Sequence, residues 1–116
     1  MSEKSETWIP ICPGLKRKTI ALGEKMMQVY VILDAGARMP EHSHVHEQIC
    51  TCLKGRIRLI VKGKPVELGP GESFMLHSNV PHGAEVDVET HVVDTFSPPR
   101  EDMLKLDAEH AKKVMR

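Results

Sequence analysis

The stretch GARMPEHSHVHEQICTCLKG, residues 36–55, decides the fold of this chain. Three histidines occupy alternating positions in it, at His42, His44 and His46, just ahead of an apolar run. In extended backbone, residues two apart face the same side, so His42 and His44 can direct two imidazoles into one space. Gln48 lies an even number of residues from both histidines, so its side chain is expected to face the same side. The stretch therefore predicts polar ligands that enter the interior of a β structure at the start of a strand.

Short runs of β-forming residues, separated by Gly, Pro and Asp turn signals, dominate the chain between residues 15 and 96. No helical period of any length interrupts them, so the pattern predicts an all-β sandwich or barrel. The predicted strands are Leu15–Leu22, Met26–Leu33, Gln48–Leu53, Arg56–Val61, Pro65–Leu68, Ser73–Leu76 and Glu89–Phe96.

The pattern changes after residue 96. The run Ser97-Pro98-Pro99 can cap and open a helical turn, and residues 107–116 have the composition of a helix. We expect one domain over residues 1–116, with a barrel at about 14–97 and a short C-terminal helix within the tail at about 98–116. One apolar stripe is expected in that tail, for packing or for contact between subunits: Met103, Leu104, Ala108, Ala111, Val114 and Met115.

Composition argues against several classes of partner. Sixteen Lys and Arg side chains balance sixteen Asp and Glu side chains, so the chain lacks the net field that attracts nucleic acid or an anionic membrane. The polar N-terminus and the absence of a long apolar stretch predict a soluble, cytoplasmic protein. The run Lys16-Arg17-Lys18 is interpreted as a solvated strand face. The three cysteines are expected to be reduced thiols, because Cys50 and Cys52 share one strand without disulfide geometry.

A further histidine completes the constellation. His82 follows Pro81 at the end of a predicted strand and can reach the same space as His42 and His44 from across the barrel. Three imidazole nitrogens and the amide oxygen of Gln48 suit one divalent transition metal ion, and these donors do not distinguish Fe, Mn, Ni and Zn. Sequence alone leaves open whether the remaining histidines and thiols near the site contribute: His46, His77, Cys50 and Cys52.

The spacing of these residues resembles two motifs of the cupin superfamily. The first is Gly36, five residues, His42-X-His44, three residues, Gln48, six residues and Gly55, with Gln48 where that family usually has Glu. The second is Gly71, five residues, His77-Ser78-Asn79, two residues and His82, with Asn79 in place of a turn glycine. The resemblance implies a cupin double-stranded β-helix, or jelly-roll barrel, with a metal site at His42, His44, Gln48 and His82.

The flanking residues are similar to those of the small cupins of pectin and alginate degradation that linearise unsaturated uronates. This similarity rests on residues 14–18, on residues 23–27 and above all on DTFSPPRED, residues 94–102. It implies catalytic roles for Asp94, Phe96 and Arg100. Those cupins usually have one more residue between the second histidine and the glutamine.

The chemistry of these side chains agrees with ring opening of an unsaturated uronate to its keto form. Asp94 can carry a proton, Arg100 can bind a carboxylate in bidentate fashion, and Phe96 can shape the pocket wall. Alternatively, Asp94 and Arg100 form a structural ion pair and Phe96 belongs to the core. A metal-dependent dioxygenase and a non-catalytic metabolite-binding cupin are the other hypotheses.

We also predict a homodimer and a small-molecule substrate, a carboxylated sugar. The dimer is expected because the N-terminal strand around Trp8 and Ile9 and the apolar stripe near the C-terminus would otherwise leave exposed edges and patches.

Overall fold

The computed structural model describes residues 8–114, which form ten strands and one helix. The strands are β1 (Ile9–Cys12), β2 (Leu15–Leu22), β3 (Met27–Leu33), β4 (Arg38–His42), β5 (Glu47–Lys54), β6 (Ile57–Val61), β7 (Lys64–Leu68), β8 (Ser73–Leu76), β9 (His82–Glu85) and β10 (Thr90–Ser97), followed by the helix α1 (Glu101–Val114). The predicted all-β fold with a C-terminal helix is confirmed.

Two antiparallel sheets form the jelly roll. The larger has the order β1-β2-β3-β10-β5-β8, and the smaller has the order β4-β9-β6-β7. Inward-facing residues alternate with outward-facing ones, as in β3, where Met27, Val29, Val31 and Leu33 are buried and the residues between them are not. These side chains meet buried residues of the smaller sheet in one core, so the two sheets pack face to face.

The hairpin between β5 and β6 shows why a glycine is needed at residue 55. Gly55 has a φ of +85°, and a Cβ there would lie 2.5 Å from the carbonyl oxygen of Glu89. The Thr90 hydroxyl closes the same corner by accepting from the amide of Arg56 at 3.2 Å and donating to the carbonyl of Val88 at 2.8 Å. The last glycine of the first motif therefore permits close contact between this hairpin and the start of β10.

The sequence pattern misses β4 and β9, and it gives β1 only as an N-terminal strand around Trp8 and Ile9, without bounds. Each has only four or five residues, and each contains a residue that strands disfavour, namely Pro10, Pro40 and Gly83. Both β1 and β4 lie at a sheet edge, where proline is tolerated. The two missed strands β4 and β9 carry two of the histidines.

The helix begins six residues earlier than the composition of residues 107–116 indicates. Glu101 and Asp102 lie in its first turn and Lys112 and Lys113 in its last, an arrangement that complements the helix dipole. Of the predicted apolar stripe, Met103 and Leu104 pack against the core, whereas Ala108 and Ala111 are exposed. The side chain of Val114 and all of Met115 lie outside the described residues.

Arg17 corrects the interpretation of the Lys16-Arg17-Lys18 run as a solvated face. Lys16 is exposed, but the side chain of Arg17 is only 2% exposed and forms an ion pair with Asp107 of α1 at 3.0 Å. The alternation of β2 explains the difference, because Arg17 has the parity of the buried Leu15.

The N-terminal strand is largely covered by its own chain. Ile9 is 8% exposed, and the ring of Trp8 packs edge-on against Tyr30 at a centroid distance of 5.9 Å, with the Lys18 ammonium 4.7 Å from the Trp8 ring. This strand therefore offers less apolar surface to a second subunit than the sequence indicates. Within residues 8–114, no helix is long and apolar enough to cross a membrane.

Candidate functional site

Three strands and one loop bring the predicted ligands together. His42 ends β4, His82 begins β9, and the two residues face each other in the β4–β9 register. His44 lies in the loop before β5, and Gln48 is buried on β5 itself. The pairing of β4 with β9 is what places residues forty positions apart in the chain side by side.

Glycine at position 83 allows β4 to approach β9 closely. A Cβ on Gly83 would lie 2.8 Å from the carbonyl oxygen of Met39 and 3.3 Å from the amide nitrogen of Glu41. Both contacts are with backbone, which cannot rotate away. The absence of a side chain at Gly83 therefore sets the distance between the strands that carry His42 and His82.

The three imidazoles of His42, His44 and His82 form one cluster, in which one ligand nitrogen of each residue lies within 4.8 Å of the other two. Ring centroids are 4.4 Å apart for His42 and His82, 5.1 Å for His44 and His82, and 5.7 Å for His42 and His44. Three of the four predicted donors therefore converge on one point, as the sequence indicates.

Backbone carbonyls fix the tautomer of each ring. Nδ1 of His42 lies 2.9 Å from the carbonyl oxygen of Pro40, and Nδ1 of His82 lies 2.9 Å from that of Val80. A carbonyl oxygen can only accept, so each Nδ1 donates and each Nε2 keeps its lone pair. Nε2 of His82 is buried and has no hydrogen-bond partner within the described part of the chain. This is the arrangement that a metal-ligating imidazole requires.

His44 follows the same pattern and adds the amide. Its Nδ1 lies 3.0 Å from the carbonyl oxygen of His46, and its Nε2 lies 3.1 Å from Oε1 of Gln48. Burial, followed by the positive charge of Arg100, lowers the pKa of His44 to about 4, and burial also lowers the pKa of His82. Both rings are therefore neutral at physiological pH, the form in which imidazole binds a metal.

The second motif is tied to the loop that carries His44. The amide of Asn79 donates to the carbonyl of His44 at 2.8 Å, and the hydroxyl of Ser78 donates to the carbonyl of Val45 at 2.6 Å. Asn79 has a φ of +64°, so it provides the left-handed conformation that a turn glycine would supply. The turn of the second motif thus holds the His44 loop of the first motif in place through two hydrogen bonds.

The other candidate ligands lie outside the three-histidine cluster. His46 orients His44 through its carbonyl, with its own ring 5.7 Å from that of His44. His77 is exposed in the turn, where its carbonyl accepts from the amide of Val80. Cys50 and Cys52 are buried, and burial raises the pKa of both thiols, which disfavours the thiolate that a metal would bind.

A cavity of about 230 Å³ opens beside the cluster. Its polar groups gather around the histidines, and the rest of its wall is apolar core, including Leu33, Leu59 and Val92. The polar residues that line it are His42, Gln48, His82, Asp94 and Arg100. The predicted metal ligands His42, Gln48 and His82 therefore share one cavity with the two charged residues predicted to act in catalysis.

Asp94 lies on β10 and faces inward beside Cys50 of β5. Its Oδ1 is buried and lacks a hydrogen-bond partner among the described residues. Burial raises the pKa of Asp94 to about 6, although Gln48, Cys50 and Arg100 oppose the shift. A carboxyl group whose pKa lies this close to neutrality can both release and accept a proton.

Arg100 is held by Asp102 and not by Asp94. Its Nε donates to Oδ1 of Asp102 at 3.1 Å and its Nη2 donates to Oδ2 at 2.8 Å, while the guanidinium carbon lies 5.0 Å from the Phe96 ring centroid. Phe96 is 2% exposed and packs edge-on against His44 at 5.8 Å. Within residues 8–114, Arg100 pairs with Asp102, and Asp94 forms no ion pair with it. Phe96 belongs to the hydrophobic core and also lines the cavity.

Sequence reasoning misses Met103 as a cavity residue and Asp102 as the partner of Arg100. Asp102 ends the DTFSPPRED stretch and Met103 belongs to the predicted apolar stripe, but neither pattern indicates these contacts. Both residues lie in the first turn of α1, which begins directly after Arg100. A correct prediction of the residue at which this helix begins would have placed them beside Arg100.

The chain is similar to known proteins in sequence and in fold. Residues 29–96 match the Cupin domain. The pectin degradation protein KdgF of Dickeya dadantii is 32% identical over 99 residues, which cover 84% of this chain and 90% of that protein.

Two solved structures are similar over most of their length. KdgF from Halomonas sp. has a TM-score of 0.78 and 35% identity, covering 83% of this chain and 89% of that one. An RmlC-like cupin from Shewanella frigidimarina has a TM-score of 0.78 and 34% identity, covering 83% of this chain and 86% of that one. The predicted resemblance is thereby confirmed, and the chain belongs to the cupin family.

Proposed function

We propose that this chain is a metal-dependent enzyme that opens the ring of an unsaturated uronate to give the keto form. The observation that carries the proposal is a cluster of three imidazoles beside one small cavity, which an amide, a carboxyl group and a guanidinium also line. The 32% identity to the pectin degradation protein KdgF of Dickeya dadantii supports a sugar acid as the substrate class.

The residues that would hold the metal are His42, His44, Gln48 and His82. Nε2 of His82 is buried with no hydrogen-bond partner among the described residues, and the ligand nitrogens of His42 and His44 lie within 4.8 Å of it, an arrangement that fits a divalent transition ion. All four donors are uncharged, so an ion bound there keeps its full charge and supplies strong Lewis acidity toward a substrate oxygen.

Arg100 would bind the substrate carboxylate. Its guanidinium lines the cavity, and Asp102, which now accepts from it, is 62% exposed. A substrate carboxylate can replace the solvated carboxylate of Asp102 at a small cost in free energy, because exposed ion pairs contribute little to stability. Stacking on Phe96 keeps the guanidinium plane in place during the exchange.

Asp94 would move the proton. Ring opening adds water across the enol ether of the substrate, and the resulting hemiketal collapses to a ketone, so one group must donate a proton and accept one back. The buried carboxyl of Asp94, with a pKa of about 6, faces the cavity and can do both. Phe96, which is 2% exposed, would form part of the apolar cavity wall beside the substrate.

Loss of the ultraviolet absorbance of the conjugated double bond tests the proposal. Metal-replete protein should accelerate the reaction of galacturonate-derived or alginate-derived unsaturated uronates well above the spontaneous rate. Asp94→Asn should lower kcat by at least about a hundredfold with metal content unchanged, because it removes proton transfer and keeps the shape. Asp87→Asn is the matched control, since Asp87 is 81% exposed in the connection between β9 and β10 and does not line the cavity.

No acceleration with either substrate would contradict the ring-opening function. Three histidine donors also occur in metal-dependent dioxygenases, so oxygen uptake with iron in the site would then test that second function. A protein that binds a metabolite and catalyses neither reaction would support a non-catalytic cupin.

A further inference from the structure

A buried arginine outside the site joins the large sheet to the helix. The side chain of Arg17 is 2% exposed, and its Nη1 donates to Oδ1 of Asp107 at 3.0 Å. Its Nη2 donates to the carbonyl oxygen of Met103 at 3.1 Å. The hydroxyl of Thr19 donates to Oδ2 of the same aspartate at 2.6 Å, so both carboxylate oxygens are bound. We call Arg17, Thr19 and Asp107 the helix clamp.

The helix clamp is a costly way to attach a helix. Burying a guanidinium carries a desolvation penalty that apolar packing would avoid, so simple attachment does not require it. Among the described residues of α1, the apolar side chains that pack against the core are Met103 and Leu104 of the first turn, and most of the later residues are exposed. An ion pair with three directed hydrogen bonds fixes the rotation and register of a helix more narrowly than two apolar side chains do.

The helix clamp holds the helical turn that borders the cavity of the candidate site. Arg100 directly precedes α1, and its carbonyl accepts the first helical hydrogen bond, from the amide of Leu104 at 3.0 Å. The Met103 carbonyl that Arg17 binds belongs to the same turn, and both Arg100 and Met103 line the cavity. A shift of this turn therefore moves the guanidinium at the cavity.

We propose that Arg17 is a positioning residue, which acts through Asp107 and the Met103 carbonyl to hold Arg100 at the cavity and thereby sets the affinity for a carboxylated substrate. The inference rests on the proposed function for the identity of the substrate. It extends that function to a residue that touches neither substrate nor metal ligands.

Steady-state kinetics separates positioning from mere stability. Arg17→Met should raise KM about tenfold while kcat stays within about threefold, because the substrate contact is displaced and proton transfer is not. Arg17→Lys should recover part of the affinity, since it keeps the charge and loses the fork. Metal content should not change. Arg56→Met is the matched control, because Arg56 forms an exposed ion pair with Glu67 on the other sheet.

A double-mutant cycle tests the route of the effect. If Arg17 acts through Arg100, the KM of the Arg17→Met, Arg100→Lys protein should equal that of Arg100→Lys alone within about twofold. Additive effects on KM would overturn the proposal, as would an unchanged KM in Arg17→Met.

Amide hydrogen exchange provides a readout that does not depend on catalysis. Arg17→Met and Asp107→Asn should each accelerate exchange of the Leu104 amide at least about tenfold and leave the amides of β3 and β10 unchanged. Asp107→Asn serves if Arg17→Met does not fold. Unchanged exchange at Leu104, or equal acceleration throughout the barrel, would overturn the positioning role. If the wild-type protein is inactive but the two variants show the local exchange effect, the result would instead contradict the proposed function alone.

Discussion

Each histidine of the cluster uses Nδ1 to bond the backbone carbonyl of a residue two positions away and leaves Nε2 for a ligand. Removal of either His42 or His82 deletes one donor from a set of four, so we expect His42→Ala and His82→Ala to retain less than about a tenth of the wild-type metal. Element analysis of purified protein measures this directly. His77→Ala is the control, because His77 is exposed in the adjacent turn. Full metal content in His82→Ala would show that the ligands lie elsewhere.

Asp102 competes with the substrate for Arg100. The hydrogen bonds from Arg100 lower the pKa of Asp102 to about 2, so its carboxylate stays charged throughout the neutral range and loses the pair only in strong acid. Asp102→Asn should therefore lower KM about two- to fivefold. The ratio of the variant KM to the wild-type KM should stay constant between roughly pH 5 and 9, because Asp102 remains charged over that range.

Glu101→Gln controls for the loss of one negative charge from the same helical turn, since Glu101 is exposed. A higher KM in Asp102→Asn would instead mean that Asp102 orients Arg100 for the substrate.

At the scale of elements, the β4–β9 pairing controls the site. Gly83→Ala places a methyl group 2.8 Å from the Met39 carbonyl oxygen, so the strands must separate. We expect a loss of about 1–3 kcal/mol in unfolding free energy and weaker metal binding, because His42 and His82 move apart.

Denaturant titration and a metal-competition assay measure the two effects of Gly83→Ala. Gly23→Ala is the matched control, because the nearest atom to its new Cβ, the Met26 carbonyl oxygen, lies 3.6 Å away, in ordinary contact. Equal metal affinity in both variants would show that the close strand approach is not needed by the site.

The parity of residues along strands accounts for most of what the sequence predicts correctly. Alternation places Gln48 and Asp94 on inward faces, and both line the cavity. The same rule applied to Arg17 would have predicted burial, but three consecutive cations indicate a solvated face, and only the later helix shows where its partner lies. Short edge strands such as β4 carry too few residues for a period-two pattern to be recognised.

At the scale of the whole molecule, we expect a homodimer. Several large apolar side chains are more than 40% exposed on the described surface, among them Ile20, Leu22 and Met26 near the β2–β3 hairpin and Ile49 and Leu53 on β5. Exposure of this kind is typical of contacts between subunits. Sedimentation equilibrium should give twice the chain mass of 13.0 kDa. A single 13.0 kDa species at micromolar concentration would contradict the expectation.

The sheet order has a consequence for synthesis of the protein. β10, the last strand, lies between β3 and β5 and pairs with seven residues of each. During translation, the edges of β3 and β5 that pair with β10 therefore keep unpaired backbone N–H and C=O groups until almost the entire barrel has been translated. Stalling before residue 90 would expose two long unpaired edges at once. Nascent chains halted there should be captured by chaperones far more readily than chains released a few residues after β10.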